Sequence, residues 1–195
     1  MQYLQPNDRK RCLGAGLLLQ KILPLHGASP DNIQVNSYGK PMAENIYFNL
    51  SHSADWAICA VGEKRVGCDI EKIEEEPEGL AERFFHQNEA DYLNTLEQEK
   101  RIEAFYRLWT LKESYIKMTG EGLHLPLNCF EILLGSENLS VRRDGTIIPC
   151  HLMEYNIPGY KLSACGEEEH FQDLVAFEVT SLIHLPPLNP LLHLS

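Results

Sequence analysis

The stretch Val66-Gly67-Cys68-Asp69-Ile70-Glu71-Lys72-Ile73 follows the apolar run "WAICAVG" (residues 56–62) and reads as a strand. Side chains alternate across a strand, so Asp69 and Glu71 share one face while Cys68 and Ile70 turn the other way, into the core. Two like charges at that spacing repel unless something positive lies between them. Taken alone, D-x-E is most simply an exposed strand face with two solvated acids, because charged residues mostly sit in water. Its functional reading is a divalent-cation site, in which hard carboxylate oxygens are joined by phosphate and water.

Upstream, residues 8–23, "DRKRCLGAGLLLQKIL", read as an amphipathic helix with a basic first turn, followed by a loop from Pro24 to Pro30. "NIQVNSYGKP" reads as a short strand running into a Gly-Lys-Pro turn, and "NIYFNLSHSADWAICAVG" as two strands about a Ser/Asp-rich turn. Downstream, the acidic loop Glu74–Gly79 precedes helices over 80–86 and 88–98, the second with Asn88 as N-cap. The longest helix spans 99–119, with Ile102, Phe105, Leu108, Trp109 and Ile116 at core spacing and Gly120 as its stop. "CFEILL", "LSVRRDGTIIPCHLMEY", "YKLSACGE" and "DLVAFEVTSLI" read as strands, with a turn at Asp144-Gly145. The tail "HLPPLNPLLHLS" is apolar and broken by prolines. Helix followed by strands thus recurs in the two halves.

The 195 residues suffice for one large domain or two small ones with a sizeable core, and 44% apolar with 23% charged residues is ordinary for a globular chain. No segment approaches about 18 uncharged apolar residues, which argues against a membrane span. The opening "MQYLQPNDRKR" has no apolar leader core. Six scattered cysteines without a CxxC pair fit buried thiols in a reducing cytosol better than a disulfide or zinc framework, so a cytoplasmic protein is expected. The net charge of −11 argues against nonspecific nucleic-acid binding. Residues 1–117 hold 14 Lys/Arg against 18 Asp/Glu, and residues 118–195 hold 3 against 10, so an anionic ligand is expected in the first three-fifths.

Two further constellations carry chemistry. On the long helix, Trp109, Glu113 and Lys117 are spaced i, i+4, i+8 and share a face, with Lys112 about 100° round the axis. A carboxylate framed by two lysines suits a metal–polyphosphate site, the lysines acting as point charges on phosphate oxygens. Alone, it is an ordinary Glu113–Lys117 surface pair, contributing roughly 0.2–0.5 kcal/mol. In "NLSHSADW", Ser51 and His52 end an apolar strand where they can meet a ligand. A hydrolase triad is disfavoured, because there is no G-x-S-x-G elbow and Ser51, His52 and Asp55 are too close in sequence. Neither a P-loop nor a G-x-G-x-x-G occurs.

In combination, "YGKP", "NLSHS", "VGCDIE" and "LWTLKESYIK", in this order and spacing, resemble the 4′-phosphopantetheinyl transferase superfamily, in its larger, pseudo-dimeric, surfactin-synthetase-activating type. The resemblance covers roughly residues 3–182, and its most specific part is G-x-D-x-E followed about forty residues later by W-x-x-K-E-S-x-x-K. It implies an α+β fold of two similar α/β halves, 1–64 and 65–182, each a small, mostly antiparallel sheet packed with helices, plus a tail over 183–195. It also implies a further strand and a basic stretch ahead of the position of Met1, which this sequence lacks. The implied reaction moves the phosphopantetheine arm of coenzyme A to a serine of an acyl or peptidyl carrier protein, with Mg²⁺ as cofactor and 3′,5′-ADP released. The setting would be nonribosomal peptide or polyketide synthesis. The partners would be coenzyme A and the apo carrier, for a monomeric pseudo-dimer that needs neither nucleic acid nor membrane.

Carried over residue by residue, Asp69, Glu71 and Glu113 resemble the Mg²⁺ ligands, and Lys112, Lys117 and His52 the phosphate contacts. Gly39, Lys40, Pro41 and Ser51 match the surroundings of the adenosine and its phosphates. Arg11 looks like the arginine that meets the 3′-phosphate. Glu89 resembles the carboxylate proposed as general base for the carrier serine; Glu113 and Lys117 complete the catalytic set. Two other readings stay open at this point: a non-catalytic module that binds coenzyme A or a carrier protein, and an unrelated Mg²⁺-dependent phosphohydrolase.

Overall fold

The computed structural model describes residues 6–76, 79–135 and 138–178, with residues 6–12 and Leu123 described by backbone alone. Helix α1, Pro6–Leu25, is the first described element and extends two residues beyond its expected range at each end, with Pro24 in its last turn. The two-residue strands β1 (Gln34–Val35) and β2 (Pro41–Met42) pair around the loop that carries Gly39 and Lys40. Strands β3 (Tyr47–Ser53) and β4 (Trp56–Gly62) form an antiparallel hairpin, with Ala54 at φ 45° in the turn. Residues 63–65 lead into β5, Val66–Lys72.

Helices α2 (Leu80–Phe84) and α3 (Gln87–Asn94) follow, then α4 (Gln98–Thr119). Helix α4 stops where Gly120 takes the left-handed conformation, φ 75°, and returns its N–H to the Ile116 carbonyl. The N-cap of α3 is His86, which corrects the expectation of Asn88. The His86 ring accepts the Asn88 N–H at 3.3 Å, and Glu89 reaches back to accept the His86 N–H at 2.9 Å. Strands β6 (Phe130–Leu134), β7 (Leu139–Arg143) and β8 (Thr146–Ile147) make one antiparallel sheet, and β9 (His151–Ile157) and β10 (Tyr160–Gly166) join β5 in another, in the order β5-β10-β9. The last expected strand, "DLVAFEVTSLI", is not one over Asp173–Glu178, where the described chain has no ladder. Side-chain bonds hold the run that precedes it instead: Glu168 accepts the N–H groups of Glu63 and Lys64, and the Tyr155 hydroxyl donates to the Gln172 carbonyl. The rest of that stretch and the tail over 183–195 lie outside the described residues.

The architecture is α+β. Helix α1 lies on the β3–β4 hairpin over Leu19, Leu23, Ile46 and Phe48, and α4 lies on β5 and β10. The main core gathers Phe105, Leu108, Leu111 and Tyr115 of α4 against Phe130, Ile132 and Val141. A smaller cluster of Ile58, Cys68, Ile70 and Leu162 lies where the hairpin meets the β5 sheet. Cys68 and Ile70 therefore do face the core, each at most 2% exposed.

Strands β3 and β5 run side by side without a backbone ladder, and side chains bridge the seam. Asn49 accepts the Cys68 N–H at 2.8 Å, the Ser51 hydroxyl donates to Asp69 at 2.8 Å, and the Ser53 hydroxyl donates to Glu71 at 3.0 Å. Helix α4 closes on the face of β5 that carries Asp69 and Glu71, with almost no spacing at Gly67. A Cβ at that position would lie 2.1 Å from the Ser114 carbonyl oxygen and 2.3 Å from the Met118 nitrogen. Only a residue without a side chain allows this approach. The seam and the close approach together bring β3, β5 and α4 to one place.

Candidate active site

Asp69 lies at that place, 3% exposed. Its Oδ1 accepts from the Ser51 hydroxyl at 2.8 Å and from Lys117 Nζ at 2.6 Å, and Lys117 also donates to Ser51 at 3.0 Å. Its Oδ2 is buried and has no hydrogen-bond partner. An orphaned carboxylate oxygen is costly, so its retention points to a partner of positive charge. Lys117 is held above its ordinary range: burial works against its charge, and Asp69 more than offsets it.

Glu71 and Glu113 complete the acidic group. Burial, reinforced by the negative charge of Asp69, pushes Glu71 up to about 7 against the opposing Ser53 hydrogen bond. Burial and Asp69 likewise raise Glu113, with Lys117 opposing. Three carboxylates thus share one nearby ammonium, and all three are raised, chiefly by burial and, for Glu71 and Glu113, by the charge of Asp69 as well. The donor set fits a hard divalent cation: all ligating atoms are carboxylate oxygens, and one of them is already without a partner. As the side chains stand, no three His, Cys, Asp or Glu residues among the described residues are gathered into a ready ligand set. Mg²⁺ commonly takes one or two carboxylates and completes its shell with water and substrate phosphates.

Beside this group opens a cleft of about 630 Å³, in the range of small-molecule sites. Glu113 and Lys117 form part of its wall, the Gly39-Lys40-Pro41 loop a second part, and Phe84, Leu125 and Leu127 an apolar third. Asn36 shapes that loop by accepting the N–H groups of Tyr38 and Lys40, both at 2.9 Å, while Gly39 takes φ 85°. The Lys40 ammonium donates to the Lys117 carbonyl at 2.5 Å and to the Val66 carbonyl at 3.2 Å, tying the loop to α4 and β5. Burial lowers the Lys40 pKa to about 8.

The sign for stability follows from linkage. Between about 8 and the ordinary lysine value the unfolded chain binds more protons than the folded one, so the Lys40 contribution to stability rises with pH. Urea unfolding of wild type and Lys40→Met is expected to show wild type gaining on the variant between pH 7.5 and 9.5. An unchanged or reversed difference would contradict the burial of that ammonium.

The structure separates several of the other sequence candidates. Ser51 faces Asp69, but His52 is exposed on the other side of β3, as strand alternation demands. Lys112 is wholly buried and does not line the cleft; its ammonium is bonded to Glu89 and to the Phe130 carbonyl. Glu89 is likewise buried, on that same lysine. The backbone of Arg11 lies in α1, and its side chain is outside the described residues. Sequence reasoning missed Gly67, Asn49 and Ser53. The signals were present: a glycine inside a strand marks close approach, and Asn49, Ser51 and Ser53 repeat the i, i+2 spacing of Asp69 and Glu71.

Comparison with known proteins bears on this geometry. The profile of the 4′-phosphopantetheinyl transferase superfamily matches residues 65–165. The 4′-phosphopantetheinyl transferase gsp of Aneurinibacillus migulanus is 36% identical over 171 residues, covering 85% of this chain and 72% of that protein. The 4′-phosphopantetheinyl transferase Sfp of Bacillus subtilis strain 168 is 31% identical over 201 residues, covering 91% and 90%. Among solved structures, the holo-[acyl-carrier-protein] synthase of Thermotoga maritima is 23% identical with a TM-score of 0.44, covering 52% of this chain and 61% of that one. Among the described residues no helix is long and apolar enough to cross a membrane.

Proposed function

Because this chain belongs to the 4′-phosphopantetheinyl transferase superfamily, we propose that its cleft binds coenzyme A and passes the 4′-phosphopantetheine arm to a serine of an apo acyl or peptidyl carrier protein, with 3′,5′-ADP as the other product. The observation that carries the reading is the under-neutralised group of Asp69, Glu71 and Glu113 with Lys117, placed against a cleft that holds a second lysine and an apolar wall. A pyrophosphate with an aliphatic amide arm asks for that combination.

Asp69, Glu71 and Glu113 would hold Mg²⁺, which when bound offsets charge on the pyrophosphate and on the departing phosphate. Lys117, fixed by Asp69 and Ser51, presents a point charge to phosphate oxygens at the cleft wall. Lys40 supplies a second one from the loop. Phe84, Leu125 and Leu127 take the pantetheine arm and exclude water from it. The carrier serine oxygen forms a bond to the phosphorus next to the arm, and the pyrophosphate P–O bond breaks toward the adenosine side. The serine proton passes to solvent water in the open cleft, whose wall Glu113 and Lys117 form. The carrier would be one of a nonribosomal peptide or polyketide synthetase.

The test is the mass of an apo carrier after incubation with the protein, coenzyme A and Mg²⁺. Gain of one phosphopantetheine with release of 3′,5′-ADP is expected, and small phosphate esters are expected to stay intact. No gain on any of several carriers by folded protein would sink the proposal. Binding of coenzyme A without transfer would then indicate a binding module, and phosphate release from the esters a phosphohydrolase.

A further inference from the structure

Lys112 precedes Glu113 in sequence, yet its side chain leaves α4 about 100° away and ends in the protein interior. Its ammonium donates to Glu89 Oε1 at 2.9 Å, to Glu89 Oε2 at 2.7 Å and to the Phe130 carbonyl at 2.7 Å. All three of its protons are used. The Glu89 oxygens are used as well: Oε1 also accepts the Ile132 N–H at 2.7 Å, and Oε2 accepts the His86 N–H at 2.9 Å. A carboxylate offers about four lone-pair sites, and four donors fill them.

Phe130 and Ile132 belong to β6, which is an edge strand of its sheet. The carbonyl of one and the N–H of the other are the groups a further strand would have taken. The ion pair takes them instead, and so fastens the start of α3, the middle of α4 and the edge of β6 to one another. A buried pair of this kind adds little net stability, because desolvating both ions offsets most of their attraction. What it supplies is position. With Lys112 anchored, α4 is fixed in rotation and in height along its axis, and Glu113 and Lys117 are presented to the cleft. Glu89 itself borders a different groove, with Asn88, Tyr92 and Arg107, which shares no residue with that cleft.

Resting on the transferase reading above, we propose that Glu89 and Lys112 are a positioning pair that sets the placement of Glu113 and Lys117, and that Glu89 does not take the serine proton. The test uses the full chain with coenzyme A, Mg²⁺ and an apo carrier. Glu89→Gln and Lys112→Met are each expected to lower transfer at least about tenfold, and the double variant no further than the worse single one, since both break one unit. The pH–rate profile of each is expected to keep both limbs, and the Ile132 amide is expected to lose protection from hydrogen exchange in each. If Glu89→Gln loses the acid limb while Lys112→Met transfers at the wild-type rate, Glu89 is the base and the proposal is overturned. Should Glu89→Gln not fold, Lys112→Met and Lys112→Arg decide it. Loss in the first with partial rescue in the second supports the clamp, and wild-type rates in the first overturn it. Wild-type protein that transfers nothing overturns the transferase reading instead, and exchange at Ile132 still reports whether the pair holds the edge of β6.

Discussion

Asp69→Asn is expected to lower transfer by about 10²–10³-fold or more while the protein stays folded. Asparagine keeps the shape and can still accept from Ser51 and Lys117, so the seam between β3 and β5 retains its hydrogen bonds. What disappears is the charge that holds Lys117 protonated and the oxygen, Oδ2, that has no partner within the protein. Removing it also relieves the repulsion felt by Glu71 and Glu113, so a thermal melt is expected to move far less than activity does. Single-turnover transfer alongside a melting curve separates the two effects. A variant with near-wild-type transfer would remove Asp69 from the site.

Gly67→Ala is expected to damage stability and activity together. The added methyl meets backbone, at 2.1 Å from the Ser114 oxygen and 2.3 Å from the Met118 nitrogen, and backbone of a well-packed helix cannot swing aside as a side chain does. Overpacking of a core costs about 1–3 kcal/mol, and a backbone clash belongs at the upper end. At about 2–4 °C per kcal/mol for a chain of this size, Tm should fall by roughly 5–10 °C. The clash relaxes only by lifting α4 off β5, which stretches the 2.6 Å bond between Lys117 and Asp69. Transfer at permissive temperature should therefore drop as well, with a weaker apparent affinity for Mg²⁺. A Gly67→Ala protein that melts and transfers like wild type would contradict the close approach of α4 to β5.

The elements that the sequence makes legible are those with local causes. Alternation in "VGCDIEKI" foretells that Cys68 and Ile70 face the core, but not that Asp69 is buried too, because α4 and the side chains of β3 cover the other face of β5. Core spacing and Gly120 foretell α4 to within a residue. What stays hidden depends on partners distant in sequence. Lys112 looks like a phosphate contact until α3 and β6 bring Glu89 and Phe130 to it. His86 displaces Asn88 as N-cap because Glu89 is held in place to complete the box, against the usual preference for asparagine. Asp173–Glu178 has the apolar pattern of a strand, but β10 already has β5 on one edge and β9 on the other. The split of Ser51 from His52 is a different case, since period-two alternation alone places them on opposite faces.

The cation site is tested most directly by Mn²⁺, an ion that electron paramagnetic resonance can count, in place of Mg²⁺. Wild-type protein titrated in the presence of coenzyme A should bind a single Mn²⁺ per chain, and Asp69→Asn and Glu113→Gln should each lose it while still folded. Undiminished Mn²⁺ binding in both variants, or none in a wild-type protein that nevertheless modifies its carrier, would contradict the assignment of Asp69, Glu71 and Glu113 as the metal ligands.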